Sequence, residues 1–210
     1  MIQRLALFVC LMTVGQFAVA QQERFQEGVH YVKFDQVTAP AAGEVEVIDV
    51  FSYMCSHCNT FEPYMQSWKS SKAENVTLNR IPVGFGRRAW ELLAQGYVTA
   101  ELLGIADESH VPMMNAIWKQ GQQMRSLDDL ATFYSQFGVD KEAYIATFNS
   151  FAADSMMRKE QRDAQLFGVN ATPTLIVNRQ YKVSNNKNVS SFPAMLDVVN
   201  FLIEKEQSVE

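Results

Sequence analysis

The chain is poor in cysteine, proline and glycine, with 3, 6 and 10 of them in 210 residues. Three cysteines are too few for a scaffold held together by several disulfides. So little proline and glycine, in a chain that is 48% hydrophobic, excludes collagen-like and disordered classes. An excess of positive charge is lacking too. The net charge is −5, whereas a nucleic-acid partner requires a basic face. There is no internal repeat and no low-complexity tract, and after residue 20 no apolar run is long enough to cross a bilayer. These absences leave a soluble, mildly acidic protein with room for one ordinary domain.

The first twenty residues read as a segment that is removed. Met1 to Arg4 is a short start carrying one positive charge, and Leu5 to Ala20 is apolar apart from Thr13 and Gln16. The stretch ends Ala18-Val19-Ala20 before the polar Gln21-Gln22-Glu23. This is the pattern of a secretory signal peptide with a small-x-small cleavage site, and it is shorter than the ~20 residues that span hydrocarbon. Cleavage after Ala20 removes Arg4 and Cys10, takes the net charge from −5 to −6 and leaves about 190 residues. Only Cys55 and Cys58 remain, in a protein bound for an oxidising compartment.

Residues 45–53 are rich in β-branched and aromatic types and predict a central strand. Residues 58–72 change to helical spacing, with Phe61, Met65 and Trp68 on one face and Pro63 expected to kink the helix. Val76 to Val83 predicts a second strand, ended by Gly84 and Gly86. Strand, helix, strand in that order implies a parallel pair with a right-handed crossover. From about Arg87 to Phe167 every apolar pattern is helical. Ser126 with Asp129 three residues on reads as one helix cap, Asp140 as another, and Gly168 as a stop. Strand character returns at Thr174–Asn178 and Tyr181–Ser184, and a further strand is expected near Val29–Phe34. A last helix from about Pro193 to Glu206 places Met195, Val198, Val199, Leu202 and Ile203 on one side. The expected architecture is an α/β sheet domain interrupted by a helical insertion of about 70 residues.

Chemistry is concentrated at Cys55-Ser56-His57-Cys58, where a strand hands over to a helix. Two cysteines three apart at a helix start share a face and can be bridged. So short a loop stabilises a fold little, so a reversible redox pair explains the spacing better than a structural staple. Cys55 is expected at the helix N-terminus, where free N–H groups and the helix dipole favour an anion. With a contribution from His57, this lowers its pKa and makes it the nucleophile, and leaves Cys58 as the buried resolving thiol. A stabilised thiolate stabilises the reduced protein, so the disulfide becomes oxidising, by roughly 30 mV for each ~1.4 kcal/mol. A zinc site is the rival reading, but His30, His57 and His110 are the only histidines, and no cysteine beyond the pair remains in the mature chain.

Phe51-Ser-Tyr-Met-Cys-Ser-His-Cys58, with Phe61-Glu62 and Pro63 following, resembles the thioredoxin-fold active site in the form found in DsbA-type thiol:disulfide interchange proteins of the bacterial periplasm. Gly168-Val-Asn-Ala-Thr-Pro-Thr174, ahead of Leu175-Ile-Val, is similar to that family's cis-proline loop. The resemblance implies a thioredoxin fold, residues 21–86 and 159–210, with the helical insertion at 87–158. It implies that Cys55 is the exposed nucleophile, that Thr172 and a cis Pro173 lie beside the sulfurs to bind substrate, and that Asp49 is the acidic residue beneath them. A buried carboxylate there can shuttle the proton of Cys58. Two positions depart from the common pattern, Ser56 where proline is frequent and Ala171 where glycine is, and the middle dipeptide tunes the potential.

The expected function is therefore oxidation of newly exported proteins in the periplasm by a monomer with no cofactor and no metal. The resemblance implies a quinone-linked membrane reoxidant of the DsbB type, for which Met54, Phe85 and residues of the insertion would supply an apolar groove. Two other functions compete: a disulfide isomerase or reductase, and a redox-inert binding module with a thioredoxin-like groove. The three sequons at Asn75, Asn170 and Asn188 are expected to be incidental in a periplasm.

Overall fold

Two runs of β-branched and aromatic residues set up the sheet, and the helix between them fixes their direction. The computed structural model describes residues 24–34 and 44–208, so the expected signal peptide lies outside the described residues. Five strands, β1 (Val32–Lys33), β2 (Val45–Phe51), β3 (Val76–Pro82), β4 (Thr174–Val177) and β5 (Tyr181–Ser184), pair in the order β1-β5-β4-β2-β3. Strands β2 and β3 are parallel, from Val45 opposite Val76 to Phe51 opposite Pro82. The other pairings are antiparallel. Strand β2 is covered on both faces, which is why it reads as a nearly continuous apolar run. Its odd-numbered residues Val45 and Val47 pack with helices α1 (Ser56–Ser71) and α7 (Phe192–Gln207). Ile48 and Val50 pack on the other side, with Ala164 and Phe167.

Strand β2 ends at Phe51 rather than at residue 53, because Cys55 N–H bonds back to Ser52 C=O at 3.0 Å and turns the chain. Helix α1 then begins at Ser56, two residues earlier than its apolar spacing predicts. Its buried side chains include Phe61, Met65 and Trp68, and burial of Phe61 and Met65 contributes roughly 1.5–3 kcal/mol each. Pro63 lies inside the helix, which continues past it, and the ring faces solvent.

The middle of the chain forms α2 (Arg88–Leu102), α3 (Ala106–Trp118), α4 (Leu127–Tyr134), α5 (Lys141–Phe148) and α6 (Phe151–Leu166). Ser126 and Asp129 make a full capping box on α4. Asp140 occupies the N-cap position of α5, but its exposed carboxylate accepts no backbone N–H, which corrects the expectation of a side-chain cap there. Helix α6 belongs to both halves of the molecule. Ala153 and Met157 pack with Ala94 and Val98 of α2, and Ala164 joins the sheet. The expected insertion boundary at 158 thus falls inside one continuous helix. Gly168 follows α6 at φ +56°, a left-handed conformation that suits glycine. The expected strand near Val29–Phe34 shortens to Val32–Lys33 at the sheet edge. Among the described residues no helix is long and apolar enough to cross a membrane.

Candidate active site

The core of the insertion does not stop at the insertion. Leu93, Tyr97, Met113, Leu130 and Tyr134 form one apolar cluster with Phe51, Tyr53, Cys55 and Cys58. The two cysteines therefore sit at the seam between helical and sheet layers, and their surroundings come from both.

Cys55 is itself the N-cap of α1, in an extended conformation, and its Sγ accepts the N–H of Cys58 at 3.3 Å. A cap residue must turn its side chain toward the first free N–H groups of the helix. That explains why the expected exposed nucleophile is only 8% exposed, against 3% for Cys58. Both are free thiols. The side chain of Cys58 donates to Cys55, and Thr172 and the backbone N–H groups of Cys58 and His57 add to it. Together these outweigh the cost of burial and bring the Cys55 thiol down to about 5. Cys58 is driven far up, by burial first and then by its bond to Cys55 and the nearby charges of Cys55 and Asp49. One turn of helix thus separates the two thiols chemically: the first is an anion at neutral pH and the second is not.

The Thr172–Pro173 peptide bond is cis, and Cys55 Sγ lies 3.3 Å from Thr172 C=O. Beside it opens a groove of about 680 Å³ lined by His57, Tyr64, Thr172, Pro173 and Phe192 among others. His57 is exposed, and it is the backbone N–H of His57, rather than a hydrogen bond from the imidazole, that reaches the sulfur. Met54 and Phe85 are 36% and 39% exposed, and neither lines the groove beside Pro173. Phe85, at φ +50°, packs near Trp90, whose ring carries the Arg87 guanidinium at 4.5 Å.

Asp49 lies beneath the pair, 3% exposed. Burial lifts its carboxyl to about 7 against the pull of Arg80, with help from Glu62 and Cys55. Its register partner in β3 is Arg80, whose Nε stands 3.9 Å from Asp49 Oδ2 while its Nη2 stands 3.6 Å from Glu62 Oε1. These are ion-pair separations too long for hydrogen bonds, and Asp49 Oδ1 has no hydrogen-bond partner among the described residues. The structure thus brings Asp49, Cys55, Cys58, Thr172 and Pro173 together, with His57 at the rim.

Sequence reasoning misses Arg80 and Tyr53, and weighs Glu62 only as part of a motif. A cationic residue inside the apolar run Val76–Val83, level with Asp49 on the neighbouring strand, is the available signal for Arg80. Glu62 occupies the buried stripe of α1 with Phe61 and Met65, a position that carboxylates rarely take without a partner. Among the described residues no group of histidine, cysteine and acidic side chains is arranged to hold a metal ion.

Comparison with known proteins bears on the same residues. The DSBA-like thioredoxin domain family model matches residues 46–197. Thiol:disulfide interchange protein DsbA of Pseudomonas aeruginosa is 31% identical over 190 residues, 90% of this chain and 89% of that protein. The protein of the same name from Azotobacter vinelandii is 30% identical, over 87% of this chain and 85% of its own. The crystal structure of Pseudomonas aeruginosa DsbA superposes with a TM-score of 0.79 at 31% identity, covering 88% of this chain and 96% of that one. That of the oxidoreductase DsbA from Xylella fastidiosa gives 0.78 at 32%, covering 85% and 96%. With a redox-spaced cysteine pair at a helix N-terminus, a cis-proline loop against it and a helical insertion packed on the two cysteines, this chain belongs to the DSBA-like thioredoxin-domain family.

Proposed function

We propose that this thiol:disulfide oxidoreductase works as an oxidant, passing the Cys55–Cys58 disulfide to reduced proteins after their export. A substrate thiolate attacks Cys55 Sγ. The Cys55–Cys58 bond breaks, and Cys58 leaves as a thiolate that takes a proton. A second substrate thiolate then attacks the substrate sulfur of the mixed disulfide and releases Cys55 as a thiolate. The substrate loses two electrons and the enzyme gains them. Cys55 is a good leaving group in this last step because its anion is already stabilised. Cys58 is a poor one, and Asp49, titrating near neutrality, is suited to supply its proton and to take it back on reoxidation.

The single observation that carries this reading is the N-cap geometry of Cys55, with Cys58 N–H on its sulfur at 3.3 Å. A thiol that titrates near 5 is about 100 times more thiolate than thiol at pH 7, which for a two-electron couple shifts the potential in the oxidising direction by roughly 60 mV. His57 is read as a further tuner through its backbone N–H and its place at the groove rim. Thr172 and Pro173 are read as the substrate-binding loop, with the carbonyl of Thr172 available to an extended peptide. The expected signal peptide supports a periplasmic location, and the exposed Met54, Phe85 and Trp118 suit an apolar membrane reoxidant of the DsbB type.

Equilibrium titration against glutathione tests this directly. A strongly oxidising couple is expected. A reducing couple would assign the protein to isomerisation or reduction, and the lack of any reversible couple would leave a binding module.

A further inference from the structure

Helix α3 of the insertion carries a histidine into the charged cluster beneath the cysteines. His110 is completely buried, and its ring is enclosed by Phe51 at 4.7 Å, Tyr53 at 5.3 Å and Tyr97 at 5.9 Å between centroids. Its Nε2 is 3.1 Å from Glu62 Oε2 and its Nδ1 is 3.2 Å from the Tyr53 hydroxyl. The disulfide exchange itself does not use this histidine, but its two ring nitrogens tie a carboxylate of the charged cluster to the active-site loop.

The contacts fix the tautomer. Burial, with the positive charge of Arg80, holds the imidazole below its ordinary range despite Glu62, so the ring is neutral at pH 7 and bears one proton. Burial alone would raise Glu62, but the hydrogen bond from His110, with the charge of Arg80, keeps it below the usual carboxylate range. An ionised Glu62 can only accept. The proton is therefore on Nε2, which donates to Glu62, and Nδ1 accepts from the Tyr53 hydroxyl. On its other oxygen Glu62 accepts from Gln66 Nε2 at 2.6 Å and faces Arg80 at 3.6 Å.

We propose that His110 is a positioning residue of the disulfide centre: it clamps the Glu62 carboxylate toward Arg80, so that Arg80's charge is divided between Glu62 and Asp49 and Asp49 stays able to exchange a proton with Cys58. The proposal rests on the reading of Asp49 as the proton partner of Cys58. The groups that face Asp49 are Cys55, Cys58 and Glu62 from the start of α1, and Arg80 from β3. Those that face His110 are Glu62 from α1, Tyr53 from the active-site loop, Tyr97 from α2, Arg80 from β3 and Asp107 from its own helix. Among the described residues, Glu62 is the one buried carboxylate that competes with Asp49 for Arg80. Asp107 also reaches Arg80, at 3.5 Å, but its carboxylate is 77% exposed and engaged by Lys69 at 2.8 Å. If the clamp is lost, Glu62 is free to protonate or swing away, and Arg80 acts on Asp49 alone.

The experiment follows the Asp49 carboxyl by carbon NMR in the reduced full chain, in the parent, His110→Gln and His110→Phe. Phenylalanine keeps the ring packing and removes the donor, and the Gln amide restores a donor near the position of Nε2. In His110→Phe the midpoint should fall by about one pH unit, the lower end of what a close unshared cation does to a carboxyl. In His110→Gln it should stay with the parent. An unchanged or raised midpoint in His110→Phe overturns the proposal, and so does an equal shift in both variants, which would be a packing effect. Nitrogen NMR of the parent supplies a reading that needs no variant. Nε2 should be protonated and Nδ1 bare at pH 7, and the opposite tautomer or an imidazolium overturns the assignment. Asp49→Asn separates the two readings: if it exchanges disulfides with the parent's rate and pH profile, Asp49 is not the proton partner, whatever His110 does to its titration.

Discussion

Replacing Cys58 asks how much of the Cys55 anion is held by its neighbour and how much by the helix. In the reduced protein the Cys58 thiol is the largest single influence holding Cys55 down at about 5, ahead of Thr172 and the backbone N–H groups. A hydrogen bond to a charged group is worth about 1.5–3 kcal/mol. Solvent reaches part of the site and screens it, so the lower end applies. At about 1.4 kcal/mol per pKa unit, Cys58→Ala should move the Cys55 midpoint to roughly 6. Cys58→Ser keeps a donor in place, and its midpoint should stay closer to that of the parent. Titration of thiolate absorbance, checked by the pH dependence of alkylation with iodoacetamide, measures all three proteins. A Cys58→Ala variant that titrates with the parent would mean that the helix N-terminus suffices. Equal displacement in alanine and serine variants would remove the donor from the argument. A parent that titrates in the ordinary thiol range would refute the oxidising couple altogether.

Three further outcomes are expected. Burial holds the Asp49 carboxyl up at about 7 from 3.8, so the folded state binds the proton more tightly, and stability is lost as pH rises between those values. With both cysteines changed to serine, Asp49→Asn should unfold in urea without that decline, and a variant as pH-sensitive as its parent contradicts the burial argument. Changing His57 to alanine keeps the backbone N–H that reaches Cys55 and should leave the couple against glutathione nearly where it is in the parent; a clearly more reducing couple would show that the imidazole itself acts on the sulfur. Ser126→Ala breaks the capping box of α4 and should cost about 1 kcal/mol in chemical denaturation, whereas Asp140→Ala, which removes no capping bond, should cost far less.

The parts of the site that lie close together in the chain are legible from residue pattern alone. Cys55, His57 and Cys58 occupy one helical turn, and a strand run followed by an amphipathic run places that turn at a helix N-terminus. Thr172 and Pro173 are legible through likeness to a known loop, because nothing local ties them to a sulfur more than a hundred residues earlier. Asp49 is legible as a mid-strand acid, but its burial is decided by α1, β3 and the insertion closing over it together. Arg80 has a weak signal, a charge in an apolar run, whose meaning depends on the strand register that sets it opposite Asp49. His110 has none. Its helical spacing marks only a face, and the orientation of α3 against α1 determines that this face meets Glu62 and Tyr53. Local pattern follows from backbone periodicity and the free groups at element ends, and so is carried by adjacent residues. Electrostatic partnership in a desolvated site depends on which distant side chains share that site, and only the packed chain decides it.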